Sequence, residues 1–190
     1  MARNVDELAY VIALNDKEQN MREIIADGSL YHFNNEAYNV LIDKGCKRIT
    51  LPYELNYKEF FDTVDECSEL IVYGHIPLMY TSNCVHKNYE KCDGISKIIT
   101  LKDRLGYEFR VENYCDFCYN TIYNHLPMSL LGVSQKVNKL NINHLRLNFT
   151  LESGKDTKVI LDGFIRAYCY GEDVSELEKF TRGHFNRGVD

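Results

Sequence analysis

Short apolar runs alternate along the chain with longer segments whose apolar residues recur at helical spacing. The runs typical of strands lie at 29–33, 48–54, 69–79 and 144–152, and the segments with helical spacing lie at 35–43, 56–65, 121–131 and 157–169. The run at 69–79 is almost wholly apolar and lacks in/out alternation, which is typical of a parallel strand covered on its outer side by helices. The pattern therefore predicts an α/β fold built from βα units.

This alternation of predicted strands and helices is interrupted between residues 81 and 119, where cysteines, charged residues and glycine replace the apolar runs. Within the interruption, apolar runs at 98–101 and 108–111 flank the turn sequence D103-R-L-G106 and predict a β-hairpin. We count about five βα-type strands, whereas a closed eight-stranded barrel takes about 250 residues. The prediction is a single domain over 1–190, a partial (β/α) TIM-like barrel corresponding to a C-terminal half, with a Cys-rich insertion at 81–119.

The composition of the chain indicates where in the cell the protein is expected and which binding partners are disfavoured. The chain of 190 residues is 45% hydrophobic and 26% charged, which is typical of a globular domain. The first apolar stretch, 9–14, is too short for a signal peptide or a membrane span, so we expect a cytoplasmic protein without a membrane partner. A net charge of −6 disfavours sequence-independent binding to nucleic acid.

Seven cysteines in a chain expected to be cytoplasmic favour metal binding or catalysis over a disulfide framework. Four of them belong to the insertion, two from each side of the predicted hairpin: Cys84, Cys92, Cys115 and Cys118. This arrangement suits a tetrahedral thiolate site, and either zinc or an iron-sulfur cluster accepts four thiolates. A thioredoxin-like pair of Cys115 and Cys118 would leave the other two without a role, and four unrelated thiols remain the fourth alternative. The remaining three cysteines are interpreted as small buried hydrophobic residues: Cys46, Cys67 and Cys169.

Several stretches occur in one order at separations typical of a known family: L30-Y-H-F-N34, T50-L-P-Y-E-L55, V72-Y-G-H-I-P-L-M79, L101-K-D-R-L-G-Y-E-F109, C115-D-F-C-Y-N-T-I-Y-N124, L145-R-L-N-F-T-L-E152 and F180-T-R-G-H-F-N-R-G-V189. From about residue 21 to the end, the chain resembles the peptidase U32 family. The resemblance implies a (β/α)-barrel in which the four insertion cysteines hold a [4Fe-4S] cluster. Because family members carry several more βα units before 30–34, it also implies a C-terminal portion. One departure is His75, where the family usually has Arg.

The resemblance implies two kinds of activity. Some members are described as collagenase-like proteases, yet no G-x-S-x-G or H-E-x-x-H motif is present. Other relatives look like oxygen-independent hydroxylation factors for transfer or ribosomal RNA, or for a quinone precursor, with prephenate as oxygen source. The leading hypothesis is an iron-sulfur RNA hydroxylation enzyme that meets RNA or a small-molecule substrate through the full-length protein. The alternatives are a protease and a zinc-stapled binding module, and zinc can also replace iron in an aerobically purified sample.

Candidate substrate-binding residues follow from predicted strand ends, where barrel sites collect, and from the family blocks. They are Glu54, Tyr73, His75, Arg104, Arg146, Glu152, His184 and Arg187. Structural roles compete at several of these positions, since a single histidine without a partner motif says little about function, and Asp103 with Arg104 is equally typical of a charged turn.

A barrel cut through its middle also exposes strand edges, so we expect pairing with a second copy near 71–73 and 145–147.

Overall fold

The computed structural model describes residues 1–18, 22–89 and 91–187. Its helices are α1 (Val5–Glu18), α2 (Asn35–Asp43), α3 (Tyr57–Thr63), α4 (Val85–Tyr89), α5 (Ser134–Asn138) and α6 (Gly154–Cys169). Its strands are β1 (Ile24–Ala26), β2 (Cys46–Thr50), β3 (Ser68–Gly74), β4 (Pro77–Thr81), β5 (Ile98–Lys102), β6 (Glu108–Tyr114), β7 (Tyr119–Tyr123), β8 (Met128–Ser129) and β9 (His144–Asn148).

The strands form two sheets. In the first, which we call the parallel sheet, β1, β2, β3 and β9 are neighbours in that order and all run parallel, while β8 pairs antiparallel with the end of β3. The second, the antiparallel sheet, has the order β4-β7-β6-β5. The α/β prediction is confirmed. In the part of the chain that the structure describes, the parallel sheet is open and has four parallel strands, one fewer than the sequence pattern predicts.

Helices cover one face of the parallel sheet. Leu70 and Val72 of β3 belong to the same buried cluster as Phe60 of α3 and Phe164 of α6. Ile49 of β2 lies in a second buried cluster, together with Tyr38 and Leu41 of α2 and Ile24 and Ala26 of β1. Because side chains alternate between the two faces of a strand, Arg48 and Glu69 point to the opposite face, which they share with the buried Ile71.

The predicted hairpin is confirmed, and the antiparallel sheet extends beyond it. β5 and β6 pair antiparallel with Leu101 opposite Phe109, and the Asp103 carboxylate accepts the N–H groups of Leu105 and Tyr107 across the turn. β4 and β7 complete the sheet, which therefore reaches from Pro77 to Tyr123. The apolar run 69–79 is thus divided between two sheets.

Two local predictions are wrong. The segment 121–131 forms no helix, because its first part is the inner strand β7 and Pro127 cannot donate a helical hydrogen bond. The segment 29–33 is not a strand, because the Asp27 side chain caps a 3-10 turn at Gly28–Leu30 and Tyr31 then takes a left-handed conformation. The strand lies five residues earlier, at β1.

Helix α1 was not predicted, although the sequence carries a signal for it. The Asn4 side chain accepts the N–H of Glu7 at 2.8 Å, and the Glu7 carboxylate accepts the N–H of Arg3 at 2.7 Å. The Asn4 side chain thus caps the first turn, and Glu7 adds a second hydrogen bond one residue further back, a pattern readable as N-x-x-E. Among the described helices, none has both the length and the apolar character needed to cross a membrane.

The edges of the parallel sheet differ from those expected. Residues 71–73 lie in β3, which is paired along both sides and therefore cannot form an exposed edge. On the β1 side, Ala2 forms a parallel bridge with Ala26, with its N–H donating to the Ile25 carbonyl at 2.8 Å. Only the expectation for 145–147 falls on an edge strand, β9.

The end of β3 leaves no room for a side chain at Gly74. Gly74 has φ +152°, and a Cβ there would lie 2.7 Å from the carbonyl oxygen of Asn148 in the neighbouring strand. We expect Gly74→Ala to lower the free energy of unfolding by about 2 kcal/mol, since the strands must separate locally. Urea denaturation measures the change. Gly154→Ala, at the open start of α6, is the matched control and should be neutral or stabilising; an equal loss in both variants would contradict this account.

Candidate functional site

The two sheets are joined at the carboxyl end of β3, the edge at which α/β folds collect their sites. Asn124, which follows β7, donates its N–H to the Ile76 carbonyl at 2.9 Å. The His75 ring nitrogen Nδ1 lies 3.1 Å from the Asn124 carbonyl oxygen. Because a carbonyl oxygen can only accept, this hydrogen bond requires a proton on Nδ1 of the imidazole. The antiparallel sheet is thereby held next to the ends of the parallel strands.

The antiparallel sheet carries a cavity of about 270 Å³, which we call the cysteine cavity. All four insertion cysteines line it: Cys84, Cys92, Cys115 and Cys118. Its other lining residues are Ser82, Asn83, Lys87, Asn88, Asn113, Tyr114, Tyr119 and Asn120. Thiols, amides and hydroxyls dominate this wall, and it contains no carboxylate among the described residues.

Local backbone structure presents each thiol to the cysteine cavity. Cys84 immediately precedes α4, and its Sγ accepts the N–H of Lys87 at 3.4 Å. Cys115 and Cys118 occupy the tight turn between β6 and β7, where Cys118 has φ +53° and donates its N–H to the Cys115 carbonyl. The Cys115 N–H donates to Ser96 Oγ at 3.0 Å. Cys92 belongs to the loop between α4 and β5.

The strand that follows Cys118 corrects one of the alternatives for these thiols. A thioredoxin-like pair needs a helix N-terminus beside its first cysteine to lower the thiol pKa. Here β7 follows instead of the predicted helix, and the pKa of Cys115 is raised, first by desolvation and then by the nearby Cys92 and Cys84 thiols. The redox-pair interpretation loses its basis.

The four thiols line one cavity but are not gathered around a single point. All seven cysteines are unpaired thiols, with Cys84 and Cys115 half-buried and Cys92 and Cys118 exposed. Yet no group of three His, Cys, Asp or Glu side chains in the described ranges is close enough to hold a single metal ion. Desolvation, and then the nearby Cys92 and Cys84 thiols, raise the pKa of Cys115, in keeping with three of the thiols lying on the same part of the wall.

A second polar group lies where β3 and β9 end. Tyr73 donates its hydroxyl to Glu152 Oε1 at 2.8 Å, and His75 Nε2 lies 3.8 Å from the same oxygen. The other carboxylate oxygen accepts the N–H groups of Thr150 and Leu151. Burial and then the Glu152 carboxylate raise the pKa of Tyr73. Three predicted site residues therefore meet here, in a group held by its own hydrogen bonds.

Arg146 belongs to a different, charged network on the helix-free face of the parallel sheet. Its guanidinium lies 3.2 Å from Glu69 and 3.4 Å from Asp27. Glu69 also accepts the Thr50 hydroxyl at 2.8 Å and lies 3.6 Å from Arg48. The Glu69 side chain is only 6% exposed, so this network satisfies a buried carboxylate with two cations.

The other predicted site residues are dispersed. Glu54 is half-buried in the loop between β2 and α3, and Arg104 is exposed in the turn of the β5–β6 hairpin. His184 and Arg187 lie in the C-terminal segment, where the Arg187 N–H donates to the His184 carbonyl. The structure does not assemble these four into one pocket with Glu152.

The sequence analysis did not single out Asp27 and Glu69, which belong to the charged network, or Tyr53, which contacts the end of β9. Asp27 directly follows β1, and a carboxylate at a strand end was a usable signal. Glu69 is a charged residue inside an otherwise apolar run, which suggests a buried ion pair. Tyr53, whose hydroxyl accepts from Asn148 Nδ2 at 3.0 Å, carried no such signal.

His32 makes the stability of the fold depend on pH. It is 1% exposed, both ring nitrogens are without hydrogen-bond partners among the described residues, and burial lowers its pKa to about 4, opposed by nearby Asp27. The unfolded chain binds this proton near the ordinary pKa of about 6.5, so stability falls as the pH drops through that range towards the folded pKa.

His32→Leu should remove this dependence. The wild type should lose about 2 kcal/mol more unfolding free energy than the variant between about pH 7 and about pH 5, as measured by urea denaturation at both values. Because all other titrating groups are shared, subtracting the two profiles isolates the histidine. Parallel profiles would show that His32 takes up its proton equally well in the folded state.

No protein-family model matches this sequence, and neither a curated protein nor a solved structure shows a match to it.

Proposed function

We propose that Cys84, Cys92, Cys115 and Cys118 hold a [4Fe-4S] cluster and that the protein takes part in iron-sulfur-dependent hydroxylation of transfer or ribosomal RNA. The observation that carries the proposal is that four cysteines from three separate segments line one cavity of about 270 Å³. The substrate class comes from the resemblance of the sequence blocks to the peptidase U32 family. The fold in this proposal is the C-terminal half of a (β/α) barrel.

The size of the cysteine cavity favours a cluster over a single ion. Zinc draws four sulfurs to about 2.3 Å from one point, whereas a four-iron cluster keeps its ligands around a larger volume. Backbone N–H donation to a ligand sulfur, as from Lys87 to Cys84, is one of the interactions that tune such clusters. A [4Fe-4S] cluster supplies one-electron chemistry to a substrate placed beside it.

The sheets and a group of polar side chains form the surroundings of the proposed cluster site. The neighbour order β1-β2-β3-β9 of parallel strands is the order that successive strands of a barrel take, which supports the partial barrel. The group of Tyr73, His75 and Glu152 lies where the parallel sheet meets the antiparallel sheet, and it holds a proton on the Tyr73 hydroxyl beside a carboxylate. With a net charge of −6, recognition of RNA has to rely on local groups and on the rest of the full-length protein.

The experiment compares RNA from cells that carry the full-length wild-type protein, no protein, or the Cys115→Ala form. Mass spectrometry of digested transfer and ribosomal RNA should show a hydroxylated nucleoside in the first sample that is missing from the other two. Identical nucleoside profiles in all three samples would contradict the RNA assignment. Peptide cleavage that survives in the Cys115→Ala protein would instead support the protease alternative.

A further inference from the structure

The buried side chain of Asn120 ties together two of the chain segments that carry the cysteines. Asn120 is 0% exposed at the start of β7, two residues after Cys118. Its Nδ2 donates to the carbonyls of Thr81 and Asn83, each at 3.1 Å. Since Asn83 directly precedes Cys84, one amide joins the segment after Cys118 to the segment that leads into Cys84.

Asn113 fixes the orientation of this amide. Asn113, 1% exposed and two residues before Cys115, donates its Nδ2 to Asn120 Oδ1. Because the two carbonyls can only accept, the Asn120 atom that faces them is Nδ2, and its Oδ1 accepts from Nδ2 of Asn113, which determines the orientation of both amides. We call the hydrogen bonds of Asn120 to Asn113, Thr81 and Asn83 the asparagine clamp.

The asparagine clamp extends beyond the last backbone pair between β4 and β7. Thr81 opposite Asn120 is the last pair between β4 and β7, and Cys84 lies three residues beyond it. The bond from Asn120 to the Asn83 carbonyl therefore extends past the end of the strand to the residue next to Cys84. Both the Nδ2 and the Oδ1 of buried Asn120 have hydrogen-bond partners, so this amide gives a defined geometry that an apolar side chain would not, whereas Asn113 Oδ1 has no partner among the described residues.

We infer that Asn120, oriented by Asn113, is the positioning residue that sets the distance between Cys84 and the Cys115–Cys118 turn, and so the geometry of the four-thiolate site. The inference deepens the proposed function and rests on it for the identity of the bound group. The positions of the thiols can nevertheless be measured without any metal, which separates the two.

The first test uses the metal-free protein and a short bifunctional thiol reagent. Mass spectrometry gives the yield of the bridge from Cys84 to Cys115 or Cys118. Asn120→Asp keeps the shape but loses both donations, and we expect the bridge yield to fall about fivefold. Asn88→Asp is the matched control, because it adds the same charge to the cysteine cavity and loses only the 3.4 Å hydrogen bond from Asn88 Nδ2 to Asn83 Oδ1, which is not one of the hydrogen bonds of the asparagine clamp; its yield should equal that of the wild type.

The second test is anaerobic reconstitution of the same three proteins with iron and sulfide. We expect Asn120→Asp to retain about tenfold less iron and to show an altered electron paramagnetic resonance spectrum after reduction, whereas Asn88→Asp matches the wild type. A wild type that binds no iron would refute the proposed function and leave the bridge yields to decide the inference. Wild-type bridge yields and spectra in Asn120→Asp would overturn the inference.

A milder variant keeps the inference testable if Asn120→Asp does not fold. Asn113→Ala removes the contact that orients Asn120 and leaves the two backbone acceptors in place. Its bridge yield should lie between those of the wild type and Asn120→Asp, at about half the wild-type value. A wild-type yield in a folded Asn113→Ala protein would overturn the orienting role of Asn113.

Discussion

After anaerobic reconstitution, the Cys115→Ala protein should retain less than about a tenth of the iron that the wild type retains. Loss of one of four thiolates removes a ligand, and the wall of the cysteine cavity contains no carboxylate among the described residues. Desalting followed by iron and sulfide analysis measures the retention.

Cys169→Ala is the control for this loss. Cys169 is an exposed thiol at the end of α6 and does not line the cysteine cavity, so its replacement should leave iron retention unchanged. Equal retention in Cys115→Ala and the wild type would remove Cys115 from the ligand set. Equal loss in both variants would point to non-specific binding by surface thiols.

Arg146→Leu should lower the free energy of unfolding by about 3–5 kcal/mol, because it removes one of the two cations facing buried Glu69 and the ion pair to Asp27. The Arg146 side chain is 15% exposed, so solvent compensates little of the loss. Urea denaturation at neutral pH measures the change. Part of the effect should disappear in Glu69→Gln/Arg146→Leu, in which the carboxylate is neutral.

The matched control is Arg166→Leu. Arg166 lies 2.6 Å from Glu172, but these side chains are 55% and 46% exposed, and an exposed pair of this kind contributes less than about 1 kcal/mol. A loss in Arg146→Leu as small as that of Arg166→Leu would show that Glu69 is satisfied by Arg48 and Thr50 alone.

The elements that the sequence predicted correctly have strong local signals. Helix α2 has its predicted bounds, with Asn34 as N-cap, and α3 begins with a complete capping box at Asn56. The β5–β6 hairpin follows from an Asp-initiated turn. In each case the residues that decide the structure are within a few positions of one another.

The wrong predictions of secondary structure arise where residues far apart in the sequence determine the structure. Strand β7 has helix-like apolar spacing, but it is held between β4 and β6, and this pairing overrides local preference. The run 69–79 gave no sign that it divides between two sheets at Gly74. For the candidate site, the four cysteines were identifiable because an insertion grouped them, whereas the asparagine clamp depends on which strands pair and was not predictable from spacing.

Mössbauer spectroscopy of the wild-type protein, reconstituted anaerobically with ⁵⁷Fe and sulfide, is the most direct test of the central claim that the four cysteines hold a [4Fe-4S] cluster. The account predicts about four iron and four sulfide per chain and the signal of a cubane cluster bound by thiolates. A single tetrahedral metal per chain, with no cluster signal under the same conditions, would contradict it.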